Sequence, residues 1–167
     1  MSEFAAMPPR EAQALLETAA SMAAAMALQP DAQGEAAHRV LRGKNVALLC
    51  NASVANDQAA ALFQRSACAL GAHVAQLRPS LNDASTPTQV AHTAKVLGRL
   101  YDGIECLGLS TELVGRIGAA AGVPVFEGLS SDSHPTAHLA QHIDTLLADG
   151  DTRCAVVQAV LVSTLAG

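Results

Sequence analysis

The sequence predicts an α/β fold: three layers, with an about four-stranded parallel sheet and helices on both faces. Three observations carry this reading. Short apolar runs alternate with stretches of helical period, at the spacing of βαβ units. The chain has 167 residues, enough for one such domain and short of two. It is 50% hydrophobic and only 15% charged, a composition that builds a core.

The elements follow in order. From Pro9 to about Leu28, Ala14, Leu15, Thr18, Met22, Ala25 and Met26 recur at helical spacing, and Pro30 ends the run. Gln29 to Ala36 reads as a linker. Val40 and Leu41 lead into Arg42-Gly43-Lys44, and Asn45 to Cys50 is a short apolar run, a buried strand. Asn51-Ala52-Ser53 forms a loop. A helix follows from about Asn56 to Leu70, closed by Gly71. Ala72–Leu77 is the second strand, Arg78–Thr88 a polar loop and Thr88–Leu100 a helix. Asp102–Leu107 is the third strand, and Thr111–Ala121 a helix capped by Gly122. Val123–Phe126 is the fourth strand, Glu127–Ser133 a loop and His134–Leu147 a helix. In the tail, Asp149 and Asp151 are N-cap candidates. Ala155–Leu165 has the length of a helix, with a fifth strand as the alternative.

This places three segments along the chain: an Ala-rich helix and linker over 1–36, an α/β core over 37–150, and a last helix over 151–167 packing on the same core. Ligands of such sheets bind at the carboxyl ends of the strands. The loops of interest are therefore 51–56, 78–87, 107–111 and 127–134.

Composition excludes several functions. The net charge is -5 with no basic block, which argues against nucleic acid. Aromatics are 2% and Trp is absent, so stacking platforms for bases are lacking. No phosphate-loop or dinucleotide glycine spacing occurs, and no cofactor is expected. Ala19–Leu28 is too short and small-sided to span a membrane, and no signal peptide is visible. The four cysteines Cys50, Cys68, Cys106 and Cys154 sit in apolar runs without Cys-x-x-Cys. They read as reduced core thiols of a cytoplasmic protein. His134, His138 and His142 share helical spacing, but the sequence places no further tetrahedral ligand beside them, so no metal is expected.

Four stretches resemble the aspartate/ornithine carbamoyltransferases. The first runs from Leu41-Arg42-Gly43-Lys44 through the strand to Phe63-Gln64 and Leu70-Gly71-Ala72. The second is Thr93, Val96-Leu97 and Tyr101-Asp102-Gly103-Ile104. The third, and most specific, joins Val123-Pro124-Val125, Gly128-Leu129-Ser130 and His134-Pro135-Thr136. The fourth is Val156-Val157-Gln158-Ala159-Val160-Leu161, similar to the family's last helix. The resemblance implies a carbamoyl-phosphate domain joined directly to that helix, with the amino-acid-binding domain missing between about Leu147 and Asp151.

The resemblance also marks site positions. The family's Ser-Thr-Arg-Thr-Arg phosphate loop falls on Asn56, Asp57, Gln58, Ala59 and Ala60, so both arginines are replaced. No Arg or Lys lies between Lys44 and Arg65, whatever the register. The arginine after the third strand falls near Leu107. Of the His-Pro-Thr-Gln contacts His134 is kept and Ala137 stands at the Gln position. Charge-assisted hydrogen bonds contribute about 1.5–3 kcal/mol each. Losing two or three would weaken phosphate binding by roughly a thousandfold or more.

The residues expected to line a ligand site are Asn51, Ser53, Asn56, Asp57, Gln58, Arg78, Leu107, His134, Thr136 and Ala137, with His134 the candidate catalytic group. The expected function is a non-catalytic binding or assembly protein on the carbamoyltransferase scaffold, a homotrimer or the partner of a true carbamoyltransferase. One alternative is an enzyme of altered chemistry with a pocket around His134. Another is one half of a split transferase.

Overall fold

The computed structural model describes residues 10, 11, 13–15, 17, 18, 21, 40–51, 54–138 and 152–166. Four strands form one parallel sheet: β1 (Asn45–Cys50), β2 (His73–Leu77), β3 (Gly103–Leu107) and β4 (Val125–Glu127). Their order is β2-β1-β3-β4, so the chain reverses direction across the sheet between β1 and β3. Cys50 pairs with Leu107 at the carboxyl end of that junction. Crevices for ligands open at such a reversal.

The helices are α1 (Val54–Ala69), α2 (Pro87–Leu100), α3 (Thr111–Ala121) and α4 (Thr152–Leu165). Side chains alternate across a strand. Along β1, Val46, Leu48 and Cys50 therefore enter one core with Phe63 of α1 and Val157, Val160 and Leu161 of α4. Ala47 and Leu49 enter the other, with Val90 and Ala94 of α2 and Leu113 and Ile117 of α3. The layers are thus α1/α4, sheet and α2/α3.

The tail is the helix its length favoured. Its residues from Cys154 to Leu161 are all buried. Gln158 Nε2 donates to the Ser66 carbonyl at 3.2 Å, and Ser66 Oγ lies 3.1 Å from Cys154 Sγ, fixing α4 against α1. The helical residues at 10–21 add Leu15 to the edge of this core. Gly71 and Gly122 close their helices at φ 87 and φ 73, backbone that favours glycine.

Several boundaries shift. α2 begins at Pro87, one residue before the expected start, because Thr86 caps it. Its hydroxyl accepts the Gln89 N–H while Gln89 reaches back to the Thr86 N–H. β4 runs over Val125–Glu127 instead of Val123–Phe126, with Pro124 offering only its carbonyl, to Ile104 N. The helix expected from His134 is replaced by turns over 134–136, with helical residues at 137 and 138. His134 precedes Pro135, whose ring disfavours helical backbone at the residue before it. Cys68 is exposed on α1 and is not a core thiol; the other three cysteines are buried. The linker, Ser53, the side chain of Asn56, residues 139–147 and the caps at Asp149 and Asp151 lie outside the described residues.

Candidate functional site

The carboxyl ends of β3 and β4 open into a cleft of about 470 Å³. Leu107 and Thr111 form one wall, at the end of β3 and the start of α3. Glu127, Gly128, Ser131 and His134 form the other, from the end of β4 into the following turns. Thr111 Oγ1 donates to Glu127 Oε1 across the mouth. The described lining contains no lysine or arginine.

His134 is buried. Its Nδ1 accepts the Thr136 N–H at 3.2 Å and lies 2.7 Å from Thr136 Oγ1. A ring nitrogen that accepts a backbone N–H carries the lone pair, so the neutral ring holds its proton on Nε2. Burial, and then the charge of Arg153, hold the imidazole pKa down to about 4. His134 is therefore a neutral hydrogen-bonding group at physiological pH, with no net charge for an anion.

Beneath the cleft sit two groups that sequence reading passed over. Glu105, in the middle of β3, is fully buried. Its two oxygens accept the Leu129 N–H at 2.9 and 3.2 Å, and the neighbouring Gly128 N–H goes to the Cys106 carbonyl at 2.9 Å. Burial raises its pKa to about 8, against the opposing pull of those amides and of Arg153. Arg153, in the first turn of α4, donates from Nη2 to the carbonyls of Leu129 (2.8 Å) and Ser131 (2.7 Å). Burial lowers its pKa, while Asp132 and Glu105 oppose that. Both groups had a signal in the sequence. An acidic residue inside Gly103-Ile104-Glu105-Cys106-Leu107 is out of place in a buried strand unless something pairs it, and Arg153 opens an otherwise apolar helix.

The expected site residues are spread along the sheet edge. Leu107 and His134 line the cleft, and Thr136 is buried behind His134. Ala137 follows at the start of the next helical segment. Asn51 sits at the β1–β3 junction, where its Nδ2 donates to the Gly108 carbonyl at 3.0 Å. Asp57 and Gln58 are exposed in the first turn of α1, and Arg78 is exposed just beyond β2; none of the three is in the cleft lining. The loop after β2 is tied to the next one instead, by Ser110 Oγ to Asp83 and by Arg116 Nη2 to the Ser85 carbonyl at 2.8 Å.

Neither thiol beneath this edge is activated. Burial, then Asp57 and Glu105, push the Cys50 thiol up. Burial, then Glu105 and Glu127, push Cys106 up further.

A family description, aspartate/ornithine carbamoyltransferase, carbamoyl-P binding domain, matches residues 1–145. The chain belongs to this family. It is similar to the ornithine carbamoyltransferase of Streptococcus uberis at 39% identity, over 78% of this chain and 42% of that protein. It is 40% identical to a catabolic ornithine carbamoyltransferase of Staphylococcus epidermidis, over 71% of this chain and 35% of that one. Among solved structures, the ornithine carbamoyltransferase from Pyrococcus furiosus superposes with a TM-score of 0.64 at 30% identity, covering 80% of this chain and 40% of the other. The enzyme from Thermus thermophilus gives 0.61 at 25%, covering 85% and 46%. The chain thus spans less than half the length of these carbamoyltransferases.

Proposed function

We propose that this carbamoyltransferase-family domain does not bind carbamoyl phosphate productively and serves as a binding or assembly protein. One observation carries the reading: every described residue lining the cleft is neutral or acidic. A phosphate dianion needs fixed positive charge and N–H groups aimed at it. Here Glu127 stands at the mouth. The nearby guanidinium of Arg153 is bonded to the carbonyls of Leu129 and Ser131 in the turn after β4. The sequence has no Arg or Lys between Lys44 and Arg65, where the family's phosphate loop falls.

The expected ligand contacts remain Asn51, Ser53, Asn56, Asp57, Gln58, Arg78, Leu107, His134, Thr136 and Ala137, with Glu127 and Thr111 added by the cleft. The last helix, α4, is read as the family's returning helix, and 37–150 as the carbamoyl-phosphate-domain core. The assembly is read as a homotrimer or a complex with a complete carbamoyltransferase, in the cytoplasm.

A second reading has its own support. A neutral His134 with its proton on Nε2 suits a carbonyl of an uncharged small molecule, which favours a cleft of altered chemistry over a split transferase. The split reading requires a partner to supply the phosphate site as well as the acceptor site.

Calorimetric titration with carbamoyl phosphate, beside an ornithine carbamoyltransferase control, tests the main reading. No heat at millimolar ligand is expected. Micromolar binding would overturn it. Sedimentation tests the assembly: a monomer that ignores added carbamoyltransferase would remove that part.

A further inference from the structure

The turns after β4 are gripped by two ionisable side chains that come from distant parts of the chain. From below, the carboxyl of Glu105 on β3 takes the N–H of Leu129 at 2.9 and 3.2 Å. From the side, Arg153 on α4 takes the carbonyls of Leu129 and Ser131 at 2.8 and 2.7 Å. The same guanidinium reaches Thr136 Oγ1 through Nη1 at 3.5 Å. Thr136 in turn holds His134 Nδ1 through both its hydroxyl and its N–H. An unbroken path of polar contacts therefore runs from α4 to the imidazole in the cleft.

We propose that Glu105 and Arg153 are positioning residues of the cleft: by gripping the 128–131 turn from opposite sides they fix the Thr136–His134 pair, and they make the seating of α4 a condition for the cleft's shape. The functional meaning rests on the β3–β4 cleft being the ligand site, but the arrangement itself stands without any ligand.

Packing alone does not require these groups. Apolar side chains of similar volume anchor a helix at least as well as a buried ionisable pair. What the pair adds is direction. A planar guanidinium bridging two carbonyls sets the path of the turn, which a Leu side chain cannot do. The other ionisable neighbours leave this division of labour intact. Cys50 on β1 and Cys106 on β3 feel the Glu105 carboxyl only as raised, neutral thiols, Cys106 from the opposite face of the sheet. The charge of Asp132 favours the charged form of Arg153, and that of Glu127 disfavours the Cys106 thiolate.

The test is nuclear magnetic resonance of the histidine ring nitrogens in the whole chain, with His134→Asn identifying the His134 signals. Wild-type His134 is expected to show an unprotonated Nδ1 and a protonated Nε2 through neutral pH, and to titrate near pH 4. Arg153→Lys keeps charge and length but loses the two-carbonyl bridge. It is expected to retain the helical circular dichroism while His134 titrates about one pH unit or more higher, toward its ordinary value. Glu105→Leu should move the signals the same way. Glu105→Gln, which still offers an oxygen to Leu129, should leave them at the wild-type position.

Arg153→Lys and Glu105→Leu proteins that fold with lowered melting temperature but unchanged His134 signals would overturn the proposal and leave both groups as simple anchors. So would a wild-type His134 protonated on Nδ1 or titrating near 6.5, a result that needs no variant at all. Carbamoyl phosphate binding would count against the proposed function and leave this inference standing.

Discussion

Glu105 and His134 titrate in opposite senses, and together they shape the stability of the fold with pH. The folded state keeps the Glu105 proton up to about pH 8, whereas an ordinary glutamic acid releases it near 4.5. The folded state refuses the His134 proton down to about pH 4, whereas an ordinary histidine takes it near 6.5. Between pH 4.5 and 6.5 the folded chain holds one proton more at Glu105 and one fewer at His134 than the unfolded chain, so the two cancel. From 6.5 to 8 only the Glu105 excess remains, and stability falls by about 1.4 kcal/mol per pH unit. Urea unfolding across this range is expected to show a plateau and then a decline. The decline should vanish in Glu105→Gln. A second expectation concerns the thiols. Cys68 is exposed, while Cys50, Cys106 and Cys154 are buried. An aromatic disulfide reagent should modify one thiol quickly in the folded protein and four after denaturation; fast modification of a second would contradict the burial of β1, β3 or α4.

The helices on the α2/α3 face depend on close approach and on capping. A Cβ built on Gly98 of α2 would lie 1.8 Å from the carbonyl oxygen of Ala121 on α3, a backbone atom that cannot swing aside. Gly98→Ala is therefore expected to destabilise the protein by about 1–3 kcal/mol or more through overpacking, although alanine is the better helix former. Thr86→Ala removes the hydroxyl half of the capping box at the start of α2 and should cost about 1 kcal/mol. Both shifts are readable in chemical unfolding. On the other face, Leu161 of α4 is wholly buried between α1 and the sheet. Leu161→Ala should cost about 2–5 kcal/mol, as a cavity in a packed core does. A loss below 1 kcal/mol would mean that α4 is less firmly seated than its burial shows.

At the level of the molecule, the scaffold of a carbamoyltransferase domain is present, and the described lining of its β3–β4 cleft holds no lysine or arginine. Fold and site can vary separately because the core and the pocket draw on different residues. The sheet needs apolar side chains at β1 and β3. The pocket draws on a few polar or charged groups on loops, so a shared fold does not by itself carry an activity with it. Among the described residues, no helix is long and apolar enough to cross a membrane. Exposed Val96 and Leu100 lie one turn apart near the C-terminal end of α2, a modest apolar strip.

Strand and helix order were readable in the chain because hydrophobic period and glycine caps are local signals. Asn45–Cys50 needed only its apolar run, and Gly71 and Gly122 sit two and one residues beyond the helices they end. The family was readable too, since His134-Pro135-Thr136 and its neighbours are contiguous. The absence of Arg and Lys between Lys44 and Arg65 is equally plain in the chain. The helix start at His134 was misjudged because its neighbour Pro135 and the ring's bond to Thr136 outweigh the periodic pattern. Glu105 and Arg153 lie 48 positions apart and meet only where the turn after β4 passes between β3 and α4. Nothing local in either residue says that it holds that turn, because the contact exists only once the sheet has formed and the last helix has packed against it.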